Sequence, residues 1–432
     1  MSSLRPLSRT ALLPLALIAG ALLTGCPSTI KRAYPEPSVD AILAHLAEVR
    51  DGLHSFRTDS KMDYWVGKDR FRGTVWVMGE VGARVRMNAL KPDDSVAADL
   101  AWLRRLDDAY GGSPDAARRA TVERALRANA WWFASRGAPR QRVILRDPDG
   151  VILTYRDGHG FMVNPVATAG RWRGLNDGLS RARLADVLLP MGVARPGGGA
   201  AWEYYDVPDD PEAVTPGASG MAQGRMAELL ANAYHDTGDV RYAEGARRAL
   251  VALRDGVDEG GATSTVSLPG RAPGPWFVER AYPGASPWRG AALNGFMVTI
   301  LSVTSAGVRL EQPPETWRPA ATGTGTSTAA TVPFVPPPGV ADSADMARGM
   351  ASDAVATLGA YLPAHDTGAW SLYGLLTPGR PFGTYLADLN YHCYHVYLLR
   401  ALGRTYPEQG FAAVAPRWQR YVDDRGATCP DR

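Results

Sequence analysis

The chain has 432 residues, of which 45% are hydrophobic and 21% are charged, the composition of an ordinary globular protein. Its length suggests two or three domains of roughly 150 residues each. Its net charge of +3 is too small to indicate a nucleic-acid-binding protein. The last of its four lysines is Lys91, and every later cation apart from histidine is arginine. This change predicts a domain boundary near residue 100 or, alternatively, selection for an acidic ligand, because arginine binds carboxylates through two parallel hydrogen bonds.

The first 26 residues predict a targeting segment. Arg5 and Arg9 precede an apolar run from Ala11 to Leu23, which is too short to span a bilayer and is typical of a signal peptide. The run ends in LTGC at Cys26, which resembles the lipobox of bacterial lipoproteins. The resemblance implies lipidation of Cys26 and a lipid anchor in the cell envelope, at the outer membrane and facing the periplasm or the surface. The alternative is a plain signal peptide with an incidental cysteine.

Residues 27–38 carry proline and serine and predict a tether, which a small α+β segment follows at residues 39–99. Apolar residues at helical spacing predict a helix over Val39–Phe56. Short β-branched and aromatic runs between glycines then predict antiparallel strands at Lys61–Val66, Phe71–Met78 and Ala83–Leu90. A helix followed by strands on a lipid tether resembles the start of a LolA-like lipoprotein domain. Whether this segment folds alone or serves as an accessory sheet stays open.

The rest of the chain, residues 100–425, predicts a mainly α domain built from pairs of helices. The expected helices are Ala116–Ser135, Leu179–Met191, Met221–His235, Val240–Leu253, Ser343–Leu362, Leu389–Arg400 and Arg417–Val422, with a β-hairpin around Asp149-Gly150. Glu311–Asp342 is rich in proline, threonine and glycine and predicts a loop inside this domain. Repeated helix pairs favour an (α/α) toroid, an architecture that leaves a groove at one end.

Two cysteines remain besides Cys26, and their pairing stays open. An exported protein can pair Cys393 with Cys429. The first stands in an expected buried helix and the second in a polar tail, which favours free thiols.

Short motifs in the second half of the chain join polar side chains to helical runs. They are SGMAQG from Ser219, Tyr282-Pro283 after Glu279, LNG from Leu293, LPAHDTGAWSLY ending at Tyr373, and YHCYH from Tyr391. In this order they resemble the C-terminal catalytic domain of the D-glucuronyl C5-epimerases, over roughly residues 200–425. The resemblance implies an isomerase that inverts C5 of a uronic acid inside a polysaccharide, without a cofactor or a metal.

The resemblance places three catalytic tyrosines at Tyr282, Tyr373 and Tyr391. The residues expected to bind the substrate around them are Glu279, Asn294, Gln223, Arg289, His392, His395, Trp172 and Arg173. Two acid/base groups are needed on opposite faces of the sugar, because the proton leaves C5 on one face and returns on the other. The ordinary pKa of tyrosine is about 10, so a cation or a hydrogen-bond donor must stabilise the phenolate. The candidates for that role are His392, His395 and Arg289.

Several of these residues have a structural alternative. Gln223 could bind sugar hydroxyls or satisfy backbone groups at the start of its helix. His392 lies on an apolar helix stripe, so a buried structural role is an equal alternative to catalysis. Asn294 suits an orienting residue or a cap better than a direct catalyst. Trp172 and Arg173 belong either to a sugar-binding groove or to a surface loop.

The chain departs from the family pattern at two places. Arg280 and Ala281 separate Glu279 from Tyr282, where the family has an acidic residue directly before the tyrosine. The arginine that the family carries shortly after its second tyrosine is missing after Tyr373. Either difference is compatible with another substrate or with an inactive protein.

Two other functions compete with epimerisation. A polysaccharide lyase begins with the same proton abstraction and then expels the 4-O substituent. A lipoprotein that binds glycans or lipid without turnover is the alternative outside the enzymes.

Overall fold

The structure is a computed structural model that describes residues 55–66, 69–80, 96–134, 136–139, 143–175, 177–205, 216–284, 291–317, 334–374 and 386–430. These residues belong to one compact unit that runs from Ser55 to Arg432. Five predicted features lie outside the described residues: the signal peptide with Cys26, the tether, the helix from Val39 as far as residue 54, the strand at Ala83–Leu90, and Arg289.

Helices make up most of the described structure. They are α1 (Ala97–Leu106), α2 (Ala116–Phe133), α3 (Pro165–Gly170), α4 (Gly178–Leu188), α5 (Gly220–Thr237), α6 (Val240–Arg254), α7 (Leu293–Glu311), α8 (Pro338–Tyr361), α9 (Leu389–Thr405) and α10 (Phe411–Asp423). The strands are β1 (Ser55–Val66), β2 (Asp69–Glu80), β3 (Ile144–Arg146), β4 (Ile152–Arg156), β5 (Gly160–Val163), β6 (Val193–Ala194), β7 (Ala200–Ala201), β8 (Thr263–Val266) and β9 (Gly274–Phe277). The strands form small antiparallel sheets in the orders β1-β2, β3-β4-β5, β6-β7 and β8-β9. The prediction of a mainly α fold with small antiparallel sheets is confirmed.

The N-terminal strands form a hairpin in which Ser55 pairs with Glu80 and Val66 pairs with Asp69. This pairing confirms the strands predicted at Lys61–Val66 and Phe71–Met78. β1 starts earlier than expected, at a position that the sequence assigned to the end of a helix. The hairpin and the helices belong to the same unit, Ser55–Arg432, and the domain boundary near residue 100 stays a prediction.

The sheet β3-β4-β5 packs on α1 and α2, and a buried carboxylate of α1 is hydrogen-bonded to the sheet. Asp99 of α1 accepts hydrogen bonds from the Tyr155 hydroxyl at 2.9 Å and from the Gly160 N–H at 3.0 Å. The expected turn around Asp149-Gly150 joins β3 to β4, and Gly150 has a φ of +90°, a conformation that favours glycine. The predicted hairpin is therefore confirmed, with β5 as an additional strand.

Helices α5 and α6 form an antiparallel hairpin, and single capping residues fix where each helix begins or ends. The Ser219 side chain accepts a hydrogen bond from the Ala222 N–H and caps the start of α5. Gly238 ends α5 in the left-handed conformation with a φ of +74°, and Asp239 caps α6. The structure confirms the predicted hairpin, its N-cap and its terminal glycine.

Helix α7 packs beside α5 in the centre of the helical core. Gly224 of α5 lies so close to α7 that a Cβ atom there would stand 3.0 Å from Cγ2 of Thr299. Leu293–Glu311 is long and apolar enough to cross a membrane, but 72% of its apolar window is buried inside the fold. In this structure α7 is a core helix.

The C-terminal helices are longer than the sequence predicts. α8 begins at Pro338, inside the expected loop, because proline is well tolerated in a first helical turn. α9 and α10 extend beyond the expected Leu389–Arg400 and Arg417–Val422.

Cys393 and Cys429 form a disulfide with a Cα–Cα distance of 5.5 Å. This corrects the preference for free thiols. The polar tail after α10 returns to α9, a tertiary contact that leaves no local signal in the sequence.

Candidate active site

Three helices begin close together and define a common site. The Gly220 N–H at the start of α5 bonds to the Val278 carbonyl at 2.7 Å. The Leu293 N–H at the start of α7 bonds to the Tyr373 carbonyl at 2.8 Å. In the first turn of α9, the Tyr391 ring contacts the ring of Tyr373. The loop after β9 and the loop before α9 therefore meet at the N-termini of α5, α7 and α9.

Tyr373, Tyr391 and Glu279 form the centre of this site. The two tyrosine rings meet edge to face, with centroids 4.7 Å apart and an interplanar angle of 68°. Tyr373 interacts electrostatically with both the Glu279 carboxylate and Tyr391. A carboxylate only accepts hydrogen bonds, so Tyr373 is the proton donor of the pair that it forms with Glu279. Tyr391 is 40% exposed and connects this group of side chains to solvent.

The surroundings hold a proton on Tyr373 and make Glu279 a stronger base. Burial raises the pKa of Tyr373, and the charge of Glu279 and the contact with Tyr391 raise it further, whereas Arg280 lowers it. Burial also raises the pKa of Glu279, while Arg280 and the Tyr373 hydroxyl act in the opposite direction. Oε2 of Glu279 has no hydrogen-bond partner among the described residues.

The N-terminus of α7 borders this carboxylate. A Cβ atom on Gly295 would stand 2.9 Å from Oε2 of Glu279, so glycine leaves the carboxylate its space. Asn294 is 4% exposed, and its Oδ1 has no hydrogen-bond partner in the part of the chain that the structure describes. The N-cap residue is Ala292, which has no side-chain acceptor for the first amides. An uncapped helix N-terminus carries partial positive charge and attracts anions.

Tyr282, the third predicted tyrosine, is buried beside the start of α5. Its ring lies so close to Gly217 that a Cβ atom there would collide with it. The neighbouring Ala281 exchanges two backbone hydrogen bonds with Ala218, at 2.7 and 2.9 Å. Tyr282 thus forms part of the wall next to Glu279, and its catalytic role stays a prediction.

Gln223 takes the structural alternative that the sequence left open. It is fully buried, its Oε1 accepts from the Trp202 N–H and its Nε2 donates to the Trp202 carbonyl, both at 3.3 Å. This places both amide groups on the backbone instead of on a sugar.

His392 and His395 are fully buried and position the loop of Tyr373. His392 accepts from the Ser371 N–H through Nδ1 at 3.1 Å, and its Nε2 donates to the Trp418 carbonyl at 2.9 Å. The Ser371 hydroxyl lies 2.9 Å from Nδ1 of His395. Burial lowers the pKa of both imidazoles. The ring nitrogens of these histidines bond to Ser371 and Trp418, and the expected role of either histidine as a cation or hydrogen-bond donor for the phenolate stays a prediction.

Arg280 is a further cation near the site, since its charge lowers the pKa of both Tyr373 and Glu279. The sequence pointed to it only as a departure from the family pattern. The other cation candidate, Arg289, lies outside the described residues.

Arg173 contacts α5, and a further arginine that the motifs did not single out lies nearby on that helix. Arg173 forms a salt bridge of 2.6 Å with Glu228, and Trp172 packs on the hydrophobic core. One turn earlier on α5, Arg225 interacts electrostatically with Tyr394, which lies one turn after Tyr391 on α9. Between Gly220 and Tyr234, α5 is partly exposed only at Met221 and Arg225, a burial pattern that periodicity alone did not show. Arg225 therefore lies one helical turn beyond the tyrosine pair.

Two other features lie away from the tyrosines. His235, Asp236 and Glu315 have ligand atoms within 4.8 Å of one another at the C-terminal end of α5, but Arg181 already binds Asp236 at 2.6 Å. A cavity of about 550 Å³ lies between the last turns of α7 and α9 and the middle of α8. Neither feature contains a predicted site residue.

The helical scaffold and its carboxylate–tyrosine cluster define a site suited to proton transfer. Residues 201–420 match the family described as D-glucuronyl C5-epimerase C-terminus. This match covers half of the chain, and the protein belongs to that family. A D-glucuronyl C5-epimerase from Caenorhabditis elegans is 24% identical over 208 residues, which are 47% of this chain and 28% of the relative. The chain thus matches less than a third of that relative's length. Trp172 and Arg173 lie outside the family match.

Proposed function

We propose that the protein is a uronate C5-epimerase that acts on a uronic-acid-containing polysaccharide. The observation that carries this proposal is the clustering of Glu279 with the tyrosine pair Tyr373 and Tyr391 beside the uncapped N-terminus of α7. The family membership supports the same reaction class.

The reaction removes the proton at C5, next to the C6 carboxylate, and returns a proton on the opposite face. Tyr373 and Tyr391 are the two proton-transfer groups in this proposal. A sugar that enters between the rings replaces their edge-to-face contact, so that each hydroxyl faces one side of C5. Each tyrosine acts as the base in one direction of the reaction and as the acid in the other, as microscopic reversibility requires.

Glu279 acts in this proposal as the group that exchanges a proton with the Tyr373 hydroxyl. Its raised pKa brings its basicity closer to that of a phenol, so a proton passes between carboxylate and hydroxyl at a lower cost than for an ordinary glutamate. Arg280 offsets part of the negative charge that this transfer leaves on the pair. Glu279 is therefore proposed as a partner of Tyr373, in place of the direct substrate contact that the sequence suggested.

The intermediate carries additional negative charge on the C6 carboxylate. The Asn294 side chain and the first amides of α7 supply fixed dipoles at the site, which stabilise such charge without reorganisation. The N-terminus of α7, which the LNG motif marks, thus contributes positive electrostatic potential at the site. Asn294 is proposed in its expected orienting role.

We also propose the toroid architecture, the export and the lipid anchor that the sequence suggested. The direction of the chain alternates through the packed pairs α5–α6 and α7–α8, which supports an (α/α) toroid with a polymer groove at the end where α5, α7 and α9 begin. The disulfide between Cys393 and Cys429 favours an oxidising compartment. It supports export, with Cys26 as the proposed lipid anchor and the outer membrane as the proposed location.

The test compares turnover in tyrosine variants. Tyr373→Phe and Tyr391→Phe each remove one hydroxyl and keep the ring, and Tyr397→Phe, on an exposed part of the same helix, is the matched control. We expect the first two to lose roughly 10²- to 10⁴-fold in kcat and the control to match wild type, measured by NMR as the ratio of C5 epimers. Unchanged turnover in both site variants would contradict the assignment. An unsaturated sugar as the product would replace the epimerase with a lyase.

A further inference from the structure

A second cavity, outside the family match, is lined by three arginines. It has a volume of about 330 Å³ and lies between the hairpin β3-β4, the turn after α3, and α4. Arg146 comes from β3, Arg171 from the turn and Arg183 from α4. Its volume is at the lower end of the range of small-ligand pockets, roughly 300–1,000 Å³.

One carboxylate, that of Asp149, also lines the cavity. Arg124 binds both Asp147 and Asp149, the latter at 2.6 Å. Arg171 donates instead to the Gly150 carbonyl. Within the described residues, Arg146, Arg171 and Arg183 form no salt bridge. Burial and the charge of Arg146 lower the pKa of Arg171, and the charge of Asp147 acts in the opposite direction.

The rest of the lining suits a sugar ring. Ser180, Arg183, Leu184 and Val187 lie on one face of α4, at the spacing that helical periodicity gives. They combine a hydroxyl, a guanidinium and an apolar floor. A saccharide presents the complementary surfaces, namely an apolar ring face, hydroxyls and, in a uronate, a carboxylate.

The cavity is joined to the active-site region through one short turn. Arg171–Gly174 carries Arg171 on the cavity and Arg173 on Glu228 of α5, the helix that also carries Arg225. Arg171–Gly174 thus connects the cavity to α5 through the salt bridge between Arg173 and Glu228.

We propose that the cavity formed by Arg146, Arg171 and Arg183 is a distal subsite that binds the carboxylate of a uronate residue several sugars away from the one being epimerised. The proposal rests on the proposed function, because it assumes the same uronate polymer. Guanidinium groups bind carboxylates in a bidentate, oriented way. The subsite holds the chain in register and takes no part in proton transfer.

The test is binding of fluorescently labelled β-1,4-polyglucuronate, as a decamer and as a dimer, by anisotropy. The variant R146Q/R183Q removes two exposed arginines of the cavity, and R404Q/R420Q removes two exposed arginines from α9 and α10 as the control. We expect the cavity variant to bind the decamer about tenfold more weakly than wild type, as for the loss of charge-assisted hydrogen bonds. Binding of the dimer and the control variant's affinity should stay unchanged. R171K, which keeps the charge but not the bidentate geometry, should weaken the decamer as well.

Equal decamer affinity in the cavity variant and wild type would overturn the subsite, as would equal losses in the control. A wild-type protein that does not bind the decamer would also overturn it. Binding requires no turnover, so the two proposals fail separately. If decamer binding depends on the cavity arginines but the protein causes no C5 exchange, the subsite is supported and the epimerase proposal is wrong. If C5 exchange occurs but the cavity variants bind the decamer as wild type does, the epimerase proposal is supported and the subsite is wrong.

Discussion

Replacing Glu279 by glutamine tests the proposed proton partner of Tyr373 most sharply. Glutamine keeps the shape of the side chain and its oxygen can still accept a hydrogen bond, but it cannot take up a proton. If Glu279 exchanges a proton with Tyr373, the variant should lose roughly 10²- to 10⁴-fold in kcat, the usual contribution of a positioned acid/base group. Turnover on a uronate polymer, followed by NMR, gives the measurement.

The same variant should be more stable than wild type at neutral pH. Burial raises the pKa of Glu279 and so disfavours its ionised form in the fold, and leaving a buried polar group short of partners costs about 1–3 kcal/mol, more when it is charged. Glutamine keeps the unpartnered position but removes the charge, so we expect a gain at the lower end, about 1 kcal/mol. That corresponds to roughly 2 °C in Tm for a chain of this size.

The pH dependence of this gain has a definite sign. The pKa of Glu279 is raised in the folded state, so between its unfolded and folded pKa values the folded protein binds more protons than the unfolded chain. The stability contributed by this group is therefore present below the ordinary pKa of 4.5 and is lost as the pH rises through the folded value. The advantage of Glu279→Gln should grow with pH over that window.

Thermal unfolding at several pH values measures this difference, with Glu408→Gln as the control for the loss of an exposed glutamate. Turnover within a few-fold of wild type would refute the role of Glu279 in proton transfer. A stability difference that does not change with pH would refute the electrostatic reasoning.

Three further predictions follow from contacts around the site. Arg225→Gln should raise KM for a uronate polymer about tenfold with little change in kcat, because a charge-assisted hydrogen bond is lost; an effect confined to kcat contradicts this. Cys393→Ser should lower the free energy of unfolding by roughly 4 kcal/mol, because the disulfide spans 36 residues; reductant should destabilise wild type similarly and leave the variant unaffected. His365 is fully buried and its pKa is lowered to about 4, so it stays neutral in the fold while the unfolded chain takes up a proton. Its contribution to stability should therefore fall by roughly 3 kcal/mol between pH 6.5 and pH 4, a slope that His365→Asn should remove.

The helices were predictable where local chemistry sets their ends. Ser219 and Gly238 mark the ends of α5 by their own conformational preferences, so no tertiary information was needed. α10 begins at Phe411, earlier than expected, and contains Pro416, a residue that normally disfavours a helix interior. Its buried face overrides that local penalty.

The sequence predicted which residues lie at the candidate site, but it did not predict the contacts that each of them makes there. The order of the motifs predicted that Tyr373 and Tyr391 belong to one site. In the structure Tyr373 bonds to the start of α7, Tyr391 lies in the first turn of α9, and their rings are in contact. The burial of His392 depends on Trp370 stacking on it and on the Trp418 carbonyl, which come from other segments. The charge of Arg280 matters because the fold places it near Tyr373. Such contacts between distant segments have no periodicity to reveal them.

The central claim is that this site removes and returns the C5 proton of a uronate. The most direct test incubates the protein beginning after Cys26 with a glucuronate polymer in D₂O and follows C5 by NMR. The account predicts deuterium at C5 together with inverted configuration, in wild type and not in Tyr373→Phe. Wild-type protein that binds the polymer but introduces no deuterium at C5 would contradict the account.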